Sequence, residues 1–259
     1  APRESRPESA RGSIAASHAS RSGRVSPYHW RMRALILAAG RGERMRPLTT
    51  DMPKPLLSAG GKPLIDWHIE ALVRAGITGL VVNLSWQGAK LREYLGDGSR
   101  YGVSLQFSEE GPEPLETGGG IHHALQLLGP APFWVVNGDI SCDFAFAPRE
   151  LPGDALAHLV LVPNPEHHPG GDFVLRDGRI AGADTAESAR LTFAGISILT
   201  PDLFRAAQPG RFPLAPLLRA AAGHGQVRGE FYGGRWTDVG TPERLRQLDT
   251  ELGALPFER

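Results

Sequence analysis

Apolar residues along this chain fall into short runs of strand length, separated by amphipathic stretches of helix length. Arg33–Ala38 (RALILA), Leu80–Leu84 and Phe133–Val136 are nearly continuous in apolar side chains, the pattern of strands covered on both faces. Val103–Phe107 reads as a further strand. Between them, Leu64–Ala75 puts Leu64, His68, Leu72 and Ala75 on one helical face, with Pro63 at its start and Gly76 closing it. Gly88–Leu95 and Gly120–Leu128 also read as helices. Strands alternating with helices predict a parallel sheet with right-handed crossovers. The second half changes character. Leu156–Val162, Phe173–Leu175, Leu191–Leu199 and Gln226–Tyr232 read as strands with less helix between them, which predicts mixed or antiparallel pairing. Leu203–Ala207 and Leu214–Ala222 read as short helices, and Thr241 caps a last helix from Pro242 to about Leu252.

Composition narrows the class. The 259 residues are 41% hydrophobic and 22% charged, which is ordinary for a globular chain and enough to bury a sizeable core. The net charge of zero hides an asymmetry: residues 1–31 hold six Arg against Glu4 and Glu8, a net of +4, so the remainder carries about −4. With no basic stripe through the body, nucleic acid is not an expected partner. No apolar run reaches the roughly 18–20 residues that span a bilayer, so no membrane partner is expected either. A lone Cys142 excludes an internal disulfide framework and fits a reducing compartment. Residues 1–31, rich in Arg, Ser, Ala and Pro, read as a disordered and dispensable tail. Met32 stands one residue before the first strand, where a natural start would lie. Residues 32–259 then form one domain.

Two stretches carry the chemistry. The first is Leu37-Ala38-Ala39-Gly40-Arg41-Gly42-Glu43-Arg44-Met45-Arg46-Pro47-Leu48-Thr49, followed by Pro53-Lys54-Pro55. A buried strand that runs into small residues and two glycines leaves backbone N–H groups free to cradle phosphate. Arg41, Arg44, Arg46 and Lys54 add the positive charge a triphosphate needs. A dinucleotide fingerprint is excluded, because Met45 stands where its third glycine belongs. A P-loop is excluded too: Gly61-Lys62 is followed by Pro63 and preceded by Leu56 where a glycine is required. The second stretch is a pair of distant aspartates. Asn137-Gly138-Asp139 ends the fourth strand, at the sheet edge where open α/β sheets bind ligands. Asp238 lies in Trp236-Thr237-Asp238-Val239-Gly240-Thr241-Pro242. Mg²⁺ prefers one or two carboxylates plus phosphate and water oxygens, so two aspartates gathered by the fold would suit it. No Ser-His-Asp set has convincing spacing.

These segments resemble the signature of the sugar-1-phosphate nucleotidyltransferase family: Leu-Ala-Ala-Gly-x-Gly, an Arg and a Pro, then Pro-Lys-Pro, with an Asp after the fourth strand and a Trp-x-Asp-x-Gly-Thr segment. The resemblance covers residues 33 to about 252. It implies an α/β fold: a doubly wound, mostly parallel Rossmann-like sheet of the GT-A-like kind with a smaller mixed sugar-binding sheet. It also implies an enzyme that joins a nucleoside triphosphate to a sugar 1-phosphate with Mg²⁺. Carried over, Ala39, Gly40, Gly42, Glu43, Arg44, Lys54 and Asn137 belong to the nucleotide, and Asp139 and Asp238 to the metal. Arg44, Lys54 and Asp139 become the catalytic set. Glu113-Pro114-Leu115-Glu116-Thr117-Gly118-Gly119-Gly120 corresponds to the base-reading loop, which assigns Glu116, Thr117 and Gly118 to the nucleobase. Its wording is similar to that of uridylyltransferases acting on N-acetylmuramate 1-phosphate, enzymes of cell-wall recycling in the cytoplasm. Guanylyltransferases for mannose 1-phosphate more often show Leu-Gly-Thr-Ala-Gly. Pro163–Phe173, with Asn-Pro, a His pair and Gly-Asp-Phe, resembles the same muramate group, and Asn164, Asp172 and Gly195 are carried over to the sugar. Adjacent His167 and His168 are not expected to chelate one ion. The implied partners are small molecules, for a monomer or small homo-oligomer.

Overall fold

A computed structural model describes residues 32–182 and 189–254. The tail expected at residues 1–31 lies outside the described residues. In chain order the elements are β1 (Arg33–Leu37), β2 (Ser58–Ala59), β3 (Lys62–Pro63), α1 (Leu64–Arg74), β4 (Gly79–Leu84), α2 (Gly88–Leu95), β5 (Ser104–Glu109), α3 (Glu116–Leu128), β6 (Phe133–Asn137) and β7 (Ile140–Cys142). They continue with β8 (Ala157–Val162), β9 (Leu175–Arg176), β10 (Arg179–Ile180), β11 (Thr192–Leu199), α4 (Ala215–Gly223), β12 (Val227–Phe231), β13 (Trp236–Asp238) and α5 (Pro242–Gly253).

One nine-stranded sheet runs β5-β4-β1-β6-β11-β8-β12-β10-β9. Its first four strands are parallel. β11 enters antiparallel between β6 and β8, and β12 lies parallel to β8. The mixed pairing expected of the second half therefore extends the main sheet. Alternate side chains of each central strand feed two cores. Ala34 and Ile36 pack with Ile65, Ile69 and Leu72 of α1 and Leu91 of α2; Leu35 packs with Ile121 and Ala124 of α3 and Leu218 of α4. Helices on both faces explain why β1 is apolar from Ala34 to Leu37.

A third, smaller core joins parts far apart in sequence. Met45 of the glycine loop, Ala59 of β2, Val239 after β13, and Leu245 and Leu248 of α5 are buried together. This cluster brings the carboxy-terminal segment against the glycine loop. β13 also pairs antiparallel with β7.

Several boundaries differ from the sequence expectation. β5 lies at Ser104–Glu109 instead of Val103–Phe107. The segment expected as a helix at Leu203–Ala207 is a 3-10 turn, Pro201–Phe204. Phe173 makes only a single bridge, to Leu191, and the strand beyond it is Leu175–Arg176. α3 begins at Glu116, so its three glycines lie inside the helix and not in the loop before it. Among the described residues no helix is long and apolar enough to cross a membrane.

Candidate functional site

β1 sits between β4, reached through α1, and β6, which arrives from the other direction. Crevices at such switch points, beyond the carboxyl ends of parallel strands, are the usual ligand sites of open α/β sheets. Here the crevice is a cleft of 630 Å³ lined by Ala39, Gly40, Gly42, Glu43, Arg44, Lys54, Glu116, Thr117, Asn137 and Asp139, among others. Ten of the residues singled out from sequence thus meet on one surface.

The glycine loop is anchored from beneath. Gly42 takes a left-handed conformation (φ 61°) ahead of a 3-10 turn, Glu43–Met45. The Thr49 hydroxyl donates to the Gly42 carbonyl at 2.7 Å, and Met45 is buried in the third core. Glu43 and Arg44 are left exposed at the cleft.

Lys54 opens the next 3-10 turn, between two prolines that hold it extended and then turned. The residue is only 8% exposed, and its Nζ donates to Asp139 Oδ2 at 2.7 Å. An ammonium out of water costs several kcal/mol unless it is paired, and Asp139 supplies the partner. The Asp139 side chain remains 41% exposed.

β6 fixes Asp139. Leu37 pairs with Asn137, and the Gly138 N–H donates to the Leu37 carbonyl at 2.8 Å. A Cβ at Gly138 would stand 2.6 Å from that carbonyl oxygen, so a residue with a side chain would force the two segments apart. The glycine loop and Asp139 are held side by side for this reason.

Asp238 approaches along the β7–β13 ribbon. It lies opposite Ile140, and the Val239 N–H donates to the Asp139 carbonyl at 2.7 Å. Asp139, the residue just ahead of β7, therefore stands one register step from the pairing of Asp238 with Ile140. The Asp238 carboxylate is held by Arg244 of α5 and lies 2.8 Å from His167 Nε2. Asp238 does not itself line the cleft, whereas Gly240 of the same segment does. These oxygen donors, each already facing a cation, fit a hard divalent ion that completes its shell with phosphate and water. Among the described residues no group of three or more His, Cys, Asp or Glu side chains is placed to hold a metal unaided.

His68 of α1 lies beneath Asp139. Burial pushes its pKa down to about 4, against the Asp139 charge and a hydrogen bond to the Ile140 carbonyl. A neutral ring adds no charge under the site. Burial pushes the Cys142 thiol up to about 11, so it is not a nucleophile near neutrality.

Asn83 and Glu110 are cleft residues that escaped the sequence reading. The Asn83 Oδ1 accepts from the Ala38 N–H at 2.5 Å, and its Nδ2 donates to Glu110 Oε1 at 2.6 Å. Glu110 Oε2 accepts from the Leu115 N–H at 2.8 Å. This relay ties the glycine loop to the turn before α3. Its only signal in the sequence is an amide inside the apolar run Leu80–Leu84.

Besides Asp238, four carried-over residues lie apart from the cleft lining. Gly118 is buried against Phe212. The Asn164 amide donates to the Pro169 and Arg190 carbonyls and accepts from the Thr192 hydroxyl. Asp172 accepts from the Phe193 N–H at 2.8 Å and lies 3.1 Å from His168 Nε2. Both side chains pin the loop after β8 onto β11. Gly195 backs Asn137, since a Cβ there would stand 2.7 Å from the Asn137 amide.

Similarity to known proteins gives the class, a nucleotidyltransferase. A family profile described as nucleotidyl transferase matches residues 33–150, and the chain belongs to that family. More particularly, it is 46% identical over 229 residues to N-acetylmuramate alpha-1-phosphate uridylyltransferase of Neisseria meningitidis serogroup B, covering 86% of this chain and 99% of that protein. It is 36% identical over 232 residues to the protein of the same name from Caulobacter vibrioides, covering 85% and 96%. Among solved structures, one titled a glucose-1-phosphate thymidylyltransferase of Bacillus anthracis superposes with a TM-score of 0.77 at 20% identity, covering 88% of this chain and 98% of that one. That likeness speaks for the fold alone.

Proposed function

We propose that this enzyme transfers the uridylyl group of UTP to N-acetylmuramate 1-phosphate, releasing pyrophosphate and forming UDP-N-acetylmuramate for cell-wall recycling in the cytoplasm. Residues 32–259 act as the catalytic domain, as a monomer or small homo-oligomer, and residues 1–31 are dispensable for turnover. The observation that carries this reading is the Lys54–Asp139 contact at 2.7 Å in a cleft floored by the glycine loop. The near full-length identity to two N-acetylmuramate alpha-1-phosphate uridylyltransferases supports the choice of substrates.

The roles follow from position. Backbone N–H groups from Ala39 to Gly42 embrace the phosphates, with Glu43 and Arg44 at the loop's outer face. Asn137, Glu116, Thr117 and Gly118 belong to the nucleoside side, and Asn164, Asp172 and Gly195 shape the sugar side. A sugar phosphate oxygen attacks the α-phosphorus in line. The new P–O bond forms as the α–β bridge breaks, and pyrophosphate leaves with both electrons of that bond. Such a reaction needs positioning and charge more than a protein nucleophile. Lys54 places a fixed charge near the α-phosphate, and Arg44 steadies the departing pyrophosphate. Asp139 and Asp238 would hold Mg²⁺, which when bound neutralises charge on the phosphates.

A matrix of UTP, GTP, dTTP and CTP against N-acetylmuramate, mannose and heptose 1-phosphates, read by pyrophosphate release, tests the assignment. UTP with the muramate should give the highest kcat/KM. A higher value for GTP with mannose 1-phosphate would reassign the substrates within the family.

A further inference from the structure

A strap from the second half of the chain crosses the first turn of α3. The Phe212 N–H donates to the Leu115 carbonyl at 3.1 Å, and the Gly119 N–H donates to the Phe212 carbonyl at 3.0 Å. Glycine is the poorest helix former after proline, so three in one turn answer a demand for close approach. A Cβ on Gly118 would stand 2.6 Å from the Phe212 ring, and one on Gly119 would stand 2.2 Å from the Gly210 carbonyl oxygen. Base access does not explain these two glycines, because both face the strap.

The strap delivers Arg211 to the cleft, which it lines. Its Nε lies 3.0 Å from Glu116 Oε1. Glu116 itself holds a left-handed backbone (φ 61°), a strained state for a non-glycine residue that clusters at ligand sites. Arg41 pairs with Glu113 at 2.7 Å at the other end of the same turn. Two Arg–Glu pairs thus bracket residues 113–116.

We propose that Arg211 is a further nucleotide-binding residue at the nucleoside end of the cleft, and that Gly118 and Gly119 serve to seat the strap that carries it. This rests on reading the cleft as the nucleoside triphosphate site. Arg211 pairs with Glu116, which the proposed function places on the nucleoside side, so its ligand is the base and not the leaving pyrophosphate. A guanidinium has five N–H donors and no acceptor. With one edge turned to Glu116, the remaining donors suit the carbonyl oxygens of uracil. Guanine presents N–H donors on its pairing edge and would need Glu116 released from Arg211. The residue therefore favours uracil over guanine.

Binding of UTP and GTP to the full chain with Mg²⁺, measured by calorimetry, tests this alongside steady-state kinetics. Arg211→Ala should weaken UTP about tenfold or more, narrow the preference for UTP over GTP, and leave both the KM for the sugar phosphate and inhibition by pyrophosphate within about twofold. The side chain is 67% exposed, so the variant should melt with the wild type. Arg211→Lys should recover only part of the loss, since it lacks the planar fork. Gly119→Ala keeps the arginine but displaces the strap, and should reproduce the UTP defect. If Arg211→Ala binds UTP within about twofold of wild type while the wild type binds it normally, the proposal alone falls. If the wild type binds neither nucleotide, the reading of the cleft falls and takes this proposal with it.

Discussion

Replacing Lys54 by Met should separate catalysis from folding. The Lys54 Nζ stands 2.7 Å from Asp139 Oδ2, a separation at which two unit charges attract by ~6 kcal/mol at an effective dielectric of about 20. That attraction offsets the cost of holding an ammonium on a residue only 8% exposed, a penalty of several kcal/mol. Methionine keeps the unbranched stem and removes both contributions. Asp139, with 41% of its side chain exposed, can be solvated by water once its partner is gone. The net effect on stability should therefore be within about 1 kcal/mol, or roughly 2–4 °C in Tm. Catalysis has no such offset. One fixed donor aimed at charge that develops in the transition state is worth about 2.7–4 kcal/mol, so kcat/KM should fall ~100- to 1000-fold. Pyrophosphate release under saturating Mg²⁺ and a thermal melt of the same preparation read the two quantities. A variant within about fivefold of wild-type kcat/KM and with an unchanged melt would remove Lys54 from the mechanism.

Asp139→Asn and Asp238→Asn should each abolish Mg²⁺-dependent turnover while circular dichroism spectra stay native; near-normal rates in either would exclude that carboxylate as a ligand. Gly138→Ala should cost about 1–3 kcal/mol in denaturant unfolding, because its Cβ meets the Leu37 carbonyl oxygen, and kcat should fall with it as Asp139 shifts; a neutral melt would show that β6 and the loop can part freely. Glu230 is held at a pKa of about 2, well below the usual carboxylate range, by hydrogen bonding from His158 and then Arg149. A depressed carboxylate stabilises the fold above its unfolded pKa and loses that contribution as protons bind. Glu230→Gln should therefore be less stable than wild type near neutrality, with the gap closing as pH falls from about 4.5 toward 2; a gap independent of pH would contradict the pairing.

What could be read in advance was local. Leu37 to Lys54 is one contiguous stretch whose small residues, glycines and cations state their chemistry within about twenty positions, and the structure gathers them on one wall of the cleft. The strand–helix alternation of the first half was legible because its central strands, β1, β4 and β6, are apolar on both faces. The Asn83–Glu110 relay was not, since it exists only once β4 and β5 lie side by side. β7 and β13 are three residues each, too short for any period to show. The start of α3 was misplaced because three glycines argue against a helix, and only the strap packed on them reverses that preference. Asn164 and Asp172 looked free to meet a sugar, yet their hydrogen bonds to the 168–193 region emerge only when the loop after β8 folds onto β11.

We propose that Asp139, just ahead of β7, and Asp238 of β13, one register step away, grip a single divalent ion against the nucleotide phosphates. A crystal grown with a non-hydrolysable UTP analogue and Mn²⁺, with data collected for anomalous scattering from manganese, tests it most directly. An anomalous peak is expected within coordination distance of both carboxylates, with Lys54 turned toward the α-phosphate. A nucleotide bound in the cleft with the metal touching neither aspartate would contradict it.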